Sequence, residues 1–116
     1  MEQLVQEFEI HKLRELGKKH GVALKNLVQL EDSKKILKST IMLEYQIGAN
    51  GKPTSVAAQE TFAYADERYK KHIEALAEAT GWEMQLRWEK RIVEIKLELT
   101  KVQSFNENAE KKAYSI

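Results

Sequence analysis

The stretch WEMQLRWEKRIVEIKLELTKV, residues 82–102, decides the fold of this chain. In an α-helix, successive residues lie about 100° apart around the axis. Six apolar side chains then share one face, and they are Met84, Trp88, Ile92, Ile95, Leu99 and Val102. Four share a nearly opposite face, and they are Trp82, Leu86, Val93 and Leu97. Because a helix that is apolar on two sides needs two neighbours, the second face must be covered by the N-terminal helix or by another subunit.

An upstream segment supplies the first of those neighbours. Its apolar residues follow a four-three alternation, in which the polar Lys34 and Glu44 occupy the two remaining positions; they are Ala23, Leu27, Leu30, Leu37 and Ile41. This spacing is typical of a helix that packs along another helix in a coiled coil. Short connections make neighbouring helices antiparallel. We therefore predict an antiparallel pair of helices.

Turn-forming residues are few and indicate where the helices end. The strongest signal is the segment Gly48-Ala49-Asn50-Gly51-Lys52-Pro53, which predicts a loop over residues 48–54. A weaker break is predicted at Gly17 to Gly21, where a first helix can end, although the residues before it also fit an N-terminal extension of the helix that follows. Thr54 or Ser55 can cap the helix that follows the loop, and Asp66 can cap a fresh start.

These signals predict one helical domain over residues 1–116. Its helices span roughly residues 3–18, 22–47 and 55–105, and a frayed tail covers residues 106–116. Charged residues make up 32% of the chain and hydrophobic residues 42%, a balance that suits helices with large solvated faces. The expected fold is all-α, an antiparallel helical hairpin or coiled-coil-like bundle with a long C-terminal helix, and we expect it to be oligomeric.

The overall charge and the cysteine content narrow the classes of function. The formal net charge is +1, so no strong global field attracts nucleic acid or an anionic membrane. The chain has no cysteine, which excludes disulfides and thiolate chemistry. The N-terminus lacks the basic start and apolar run of a secretory signal, and no apolar run approaches the roughly 20 residues of a membrane span. We expect a cytoplasmic protein.

No motif for catalysis, a cofactor or a metal is visible in the sequence. A carboxylate-bridged metal site in a helical bundle needs Glu three residues before His, and none of the three histidines has Glu at that offset. Glu7 and His11 are spaced to hold one ion, but we interpret them as a surface pair on a charged helix. We therefore expect a protein that is not an enzyme and that has no cofactor and no metal.

The segment around the two tryptophans is the richest candidate surface. It combines aromatic and basic side chains, namely Trp82, Arg87, Trp88, Lys90 and Arg91. Such residues can stack on unpaired bases and neutralise phosphates, or they can anchor a protein partner. The alternative is that both rings fill the apolar faces of the helix, and the nearby Glu83, Glu89 and Glu94 dilute the positive charge.

Several segments together resemble a group of phage proteins. The run from Phe62 to Ala77, FAYADERYKKHIEALA, is followed by Leu86-Arg87-Trp88-Glu89 and preceded by Lys35-Ile36-Leu37-Lys38 and Leu43-Glu44-Tyr45. In these segments the chain resembles small helical proteins encoded by phages and prophages, some of them near genes for recombination and single-strand annealing. The resemblance covers most of the chain and implies an accessory part in phage DNA metabolism.

Three functions remain open from the sequence. The first is a non-catalytic interaction or scaffold protein that binds itself and another protein, as an accessory factor in phage DNA recombination or replication. The second is a direct binder of single-stranded nucleic acid through residues 82–91. The third is a phage-encoded inhibitor of a host protein, for which no particular residue argues.

Overall fold

Three α-helices make up most of the described chain. The computed structural model describes residues 2–114, with α1 at Glu2–Glu44, α2 at Val56–Ala65 and α3 at Glu67–Tyr114. Over these residues it contains no strand, and the isolated antiparallel bridge between Ile47 and Pro53 lies in the loop after α1. The predicted all-α fold with a long C-terminal helix is therefore confirmed.

The contacts divide the chain into two compact units. The terminal unit comprises the residues through Val22 and those from Met84 onward, and the loop unit comprises Ala23–Glu83. Each unit contains a part of α1 and a part of α3. The single domain over residues 1–116 stays a prediction.

In the loop unit, α1 and α3 pack through residues that recur every three or four positions. The buried or half-buried residues of α1 include Ala23, Leu27, Leu30, Lys34, Leu37 and Ile41, which follow the four-three pattern predicted from the sequence. Those of α3 include Tyr69, His72, Leu76, Ala79 and Glu83. The His72 Nε2 atom lies 2.7 Å from the Leu30 carbonyl oxygen, across the two helices. The spacing is that of knobs-into-holes packing.

A tight turn joins α1 to α2 at the place predicted for the loop. The Gly51 N–H donates to the Gly48 carbonyl at 2.9 Å, and the Gly48 N–H donates to the Lys52 carbonyl at 2.8 Å. Gly51 has a φ of 75°, a conformation that side chains disfavour. Ser55 caps α2, because its hydroxyl accepts a hydrogen bond from the Ala58 N–H at 3.1 Å.

The structure differs from the predicted helix 55–105, because the chain breaks at Asp66. The Asp66 backbone is extended there, which ends α2, and its carboxylate accepts from the Arg68 N–H at 2.9 Å, which caps α3. α2 folds against α1, where the Tyr45 and Phe62 rings stack at 5.0 Å and the Lys38 ammonium donates to the Tyr64 hydroxyl at 2.9 Å. The break at Asp66 therefore lets the short helix α2 cover the end of α1.

Arg68 ties the end of α1 to the start of α3. Its guanidinium donates to both carboxylate oxygens of Glu44 and to both oxygens of Asp66. The hydrogen bonds from Arg68 hold the pKa of the Glu44 carboxyl and the pKa of the Asp66 carboxyl below their ordinary values. Planar, two-pronged pairing of this kind fixes geometry as well as charge.

Replacing Arg68 with glutamine is expected to raise the pKa of Glu44 and that of Asp66 toward ordinary carboxyl values. Because both pKa values are lowered in the folded chain, the two ionised carboxyls stabilise it at a pH above the ordinary carboxyl pKa. This stability is lost as the pH falls through the lowered pKa values. Titration of the two carboxyls by NMR measures the change. Lys70→Gln is the control, since Lys70 pairs with Glu67 at 3.8 Å; the same shift in that variant would contradict the assignment to Arg68.

In the terminal unit the same packing continues with more polar residues. The buried or half-buried positions of α1 include Gln6, Glu9, Leu13, Leu16 and His20, and those of α3 include Leu86, Lys90, Val93, Leu97, Thr100 and Ser104. The Lys90 Nζ atom lies 3.4 Å from His20 Nδ1, which links the two helices. Polar residues within such a contact commonly fix the register of two helices.

Two predicted helix ends are wrong. The break at Gly17 to Gly21 is absent, because α1 runs through both glycines, and the tail predicted to fray from residue 106 is helical as far as Tyr114. Each glycine costs about 1 kcal/mol inside a helix, a cost that packing of the same helix through Leu16 offsets. Lys111 and Lys112 favour the C-terminal end of α3 through the helix dipole. Residues 115 and 116 lie outside the described part.

Gly81 lies inside α3, where a methyl group would have room. A Cβ built at Gly81 meets no heavy atom within 4 Å, so Gly81→Ala is expected to raise the free energy of unfolding by about 0.5–1 kcal/mol. Chemical denaturation followed by circular dichroism measures this gain. The control is Gly51→Ala, which is expected to destabilise because of the positive φ of Gly51; a loss of stability in Gly81→Ala would show that α3 is not a regular helix there.

Candidate functional site

The face of α3 that points away from α1 in the terminal unit carries a row of exposed apolar side chains. We call it the outer seam, and its residues are Trp88, Ile92, Ile95, Leu99 and Val102. They are between 39% and 62% exposed, and Met84 near one end and Phe105 near the other are exposed as well. Their spacing alternates between four and three residues, which is the pattern of a helix that packs along a partner. The outer seam is therefore built for helix packing but left uncovered by the described residues.

The structure separates the two faces expected from the sequence. Leu86, Val93 and Leu97 lie on the side of α3 that packs against α1 in the terminal unit, and Val93 is almost fully buried. The other face is exposed throughout, and its residues are Met84, Trp88, Ile92, Ile95, Leu99 and Val102. Within residues 4–112, the N-terminal helix α1 does not cover that face.

Trp82 does not fill the inner face, contrary to one of the sequence interpretations. Its side chain is 55% exposed. In the loop unit it borders an open groove of about 310 Å³ together with Asn26, Leu30 and Ala79. The residue one position later, Glu83, is the buried one. The ring of Trp82 therefore lies at the edge of the helix contact and remains accessible.

Of the three basic residues near Trp88, two border the same groove as its ring and one faces α1. Arg87, Trp88 and Arg91 border one open groove of about 300 Å³. Lys90 is half-buried and faces His20 on α1 instead. Arg91 also pairs with Glu94 at 3.3 Å and with Glu98 at 3.7 Å, which reduces its charge toward an anionic ligand. Of the five residues proposed as one surface, Arg87, Trp88 and Arg91 therefore border one groove, whereas Lys90 faces α1.

Charged residues flank the outer seam on both sides, an arrangement that the sequence interpretation did not identify. Glu89 and Lys96 lie along one edge, and Arg91 and Glu98 along the other, each pair seven residues apart. A seven-residue interval returns a side chain to the same edge of a helix that packs in a coiled coil. Counting heptads from Trp88 outward would have found these four positions.

The described residues offer no evident centre for metal binding. No group of three or more His, Asp or Glu side chains converges within residues 2–114 in a way that could hold a metal ion. Glu7 and His11, the pair considered from the sequence, are both exposed. None of the helices described there combines the length and the apolar character that crossing a membrane requires.

Comparison with known proteins gives no further guide. No family model, no curated protein and no solved structure matches the chain.

Proposed function

We propose that this chain is a non-catalytic interaction protein of the cytoplasm that binds protein partners, helix against helix, through the outer seam of α3. The observation that carries the proposal is the row of five apolar residues at four-three spacing, each at least 39% exposed. A contiguous apolar surface of this kind on a soluble chain commonly marks a protein interface. Trp88 is the natural anchor of that surface, since tryptophan is enriched among residues that dominate binding.

Site-specific photo-crosslinking tests this proposal in the cells that produce the protein. A photoreactive phenylalanine derivative at Val102 samples the outer seam, and the same group at Lys101, which is also exposed, samples a different face of α3. We expect adducts with a heterologous protein from Val102 and none from Lys101. Adducts of equal yield from both positions, or none from Val102, would overturn the proposal.

The resemblance to phage-encoded helical proteins sets the order in which candidate partners are tested. Proteins of DNA recombination and replication come first, because some of the similar proteins lie near such genes. Binding to a purified candidate should weaken at least about tenfold when Leu99 is replaced by aspartate, since a charge cannot be buried unpaired at an apolar interface. Leu99 is 57% exposed in the chain itself, so the variant should keep its helical content.

A direct binder of single-stranded nucleic acid is the second candidate, and the exposure of Trp88 between Arg87 and Arg91 favours it. An exposed indole can stack on a base, and the two arginines can contact phosphates. The ion pairs of Arg91 with Glu94 and Glu98 oppose that use. Tryptophan fluorescence during titration with a single strand decides, because quenching that weakens with added salt is required for this function.

A further inference from the structure

We propose that the outer seam of α3 binds the outer seam of a second copy of this chain, with the two α3 helices antiparallel. The proposal rests on the proposed function, since both use the same face, and it names a second copy as one of the protein partners. Its basis is the order of residues between Met84 and Phe105, all of them in the terminal unit. That stretch contains about three heptads, or roughly 33 Å of helix at about 1.5 Å per residue, which is long enough for a continuous helix contact.

The apolar residues of the outer seam match each other when the two copies run in opposite directions. In an antiparallel pair centred between Val93 and Glu94, Trp88 packs against Leu99 of the second copy. Ile92 packs against Ile95 of the second copy, and the two-fold axis repeats both layers. A bulky side chain thus faces a branched aliphatic one in each outer layer. Four consecutive apolar layers result, without a polar residue among them.

The charges at the two edges agree with the same register. In an antiparallel coiled coil, residues on one edge face residues on the equivalent edge of the partner. Glu89 then faces Lys96 of the second copy, and Arg91 faces Glu98 of the second copy. The two-fold axis doubles each pair, so four pairs of opposite charge surround the apolar layers. At the ends of the same edge as Arg91, the exposed Met84 and Phe105 face each other.

The parallel arrangement is disfavoured by the same residues. In a parallel, in-register pair, a residue on the edge that contains Arg91 faces a residue on the other edge of the partner. The partner residue lies five positions later in the sequence. Arg91 then faces Lys96 of the second copy, twice, and Glu89 faces the apolar Met84. Like charges placed opposite each other are destabilising by amounts similar to the gain from an ion pair. The charge pattern therefore selects the antiparallel orientation.

Another helical protein can cover an apolar face, but the register argues for a second copy. Apolar layers, charged edges and end contacts all fall into place about a single two-fold axis, and self-complementarity of one patch is what such an axis requires. A face evolved for an unrelated helix has no reason to match itself in reverse. The ion pair between Arg91 and Glu98 within one chain, at 3.7 Å, is exchanged for the equivalent pairs between copies.

Sedimentation equilibrium on a dilution series tests whether the pair forms. We expect a mass that rises from that of one 13.4 kDa chain to twice that value. Glu98→Arg should weaken association at least about tenfold, because two attractions become two repulsions. Mixing it with Arg91→Glu should restore association as a mixed pair, in which both edges are again complementary. Arg91 and Glu98 are both exposed, so circular dichroism should report unchanged helicity in either variant.

Electron spin resonance distance measurement tests the orientation. Because the chain has no cysteine, Glu107→Cys accepts a single nitroxide, beyond the proposed contact. The antiparallel register predicts about 40 Å between the two labels, whereas a parallel pair keeps them within about 20 Å. A strict monomer at every concentration, a short label distance, or failure of the mixed variants to associate would each overturn the antiparallel pair.

These experiments distinguish failure of the pairing between copies from failure of the proposed function. Heterologous adducts from Val102 in a chain that is strictly monomeric would remove the pairing of two copies and leave the proposed function intact. A long label distance together with an absence of heterologous adducts would remove the proposed binding of another protein and leave the pairing of two copies intact.

Discussion

Replacing Ile41 with alanine is expected to lower the free energy of unfolding by about 3 kcal/mol. Ile41 is fully buried in the loop unit, at the last apolar position of the contact that α1 makes with its neighbours. Removal of the branched side chain leaves a cavity. It also forfeits the free energy gained when the methyl and methylene groups are transferred out of water. Urea denaturation followed by circular dichroism at the helical band measures the loss.

The matched control is Ile36→Ala, which makes the same chemical change on the same helix. Ile36 is 69% exposed, so its replacement should change stability by less than about 0.5 kcal/mol. Equal losses at the two positions would mean that the contact face of α1 is misassigned, and a larger loss at Ile36 would place the core on the opposite side of the helix.

Replacing Val93 with alanine is expected to cost about 2 kcal/mol. Val93 is 1% exposed and occupies the centre of the packed side of α3 in the terminal unit, one turn from Lys90 and from Leu97. The control is Val22→Ala, in the same unit but 71% exposed, where less than about 0.5 kcal/mol is expected. A neutral effect of Val93→Ala would contradict the packing of α3 on α1 in this unit.

The same two variants also test the predicted single domain. Native-state hydrogen exchange reports how far along the chain a destabilising change is felt. If residues 1–116 unfold as one cooperative unit, Ile41→Ala should lower amide protection in the terminal unit as strongly as in the loop unit. Loss of protection confined to Ala23–Glu83 would show instead that the two units open separately.

The contact face of α1 in the loop unit was predictable because it is a local property of the sequence. The four-three spacing from Ala23 to Ile41 needs only a regular helix to line up one side, and the structure buries that side. The loop and the Ser55 cap were also predictable, since glycine, proline and hydroxyl residues act on their own backbone.

The roles of Trp82 and Lys90 were not predictable from hydrophobicity. The packed side of α3 includes the polar Glu83 and Lys90. Apolar spacing alone therefore predicts Trp82 on the packed side and places Lys90 on an exposed basic surface. Polar residues enter such a contact when a partner across it satisfies them, as His20 does for Lys90. That partner belongs to a distant part of the chain, and the sequence around residue 90 does not show it.

Helix ends were predicted worst, because they depend on contacts that overrule local preference. Gly17 and Gly21 suggest an end, yet packing through Leu16 and Ala23 continues the helix. Asp66 appeared as one possible start among several. The helix breaks at Asp66 because Arg68 binds both Asp66 and Glu44, which lies at the end of α1. The contact between Arg68 and Glu44 spans 24 positions along the chain.

The most direct test of the account is the reactivity of single cysteines along α3 in dilute solution. We expect slow labelling of cysteine at Val93 and Leu97, which pack against α1, and fast labelling at Ile95 and Leu99 of the outer seam. Because the four positions alternate along one stretch of helix, differences in local helix stability cannot produce that pattern. Fast labelling at Val93 and Leu97 with slow labelling at Ile95 and Leu99, or equal rates at all four, would contradict an outer seam that is open to a partner.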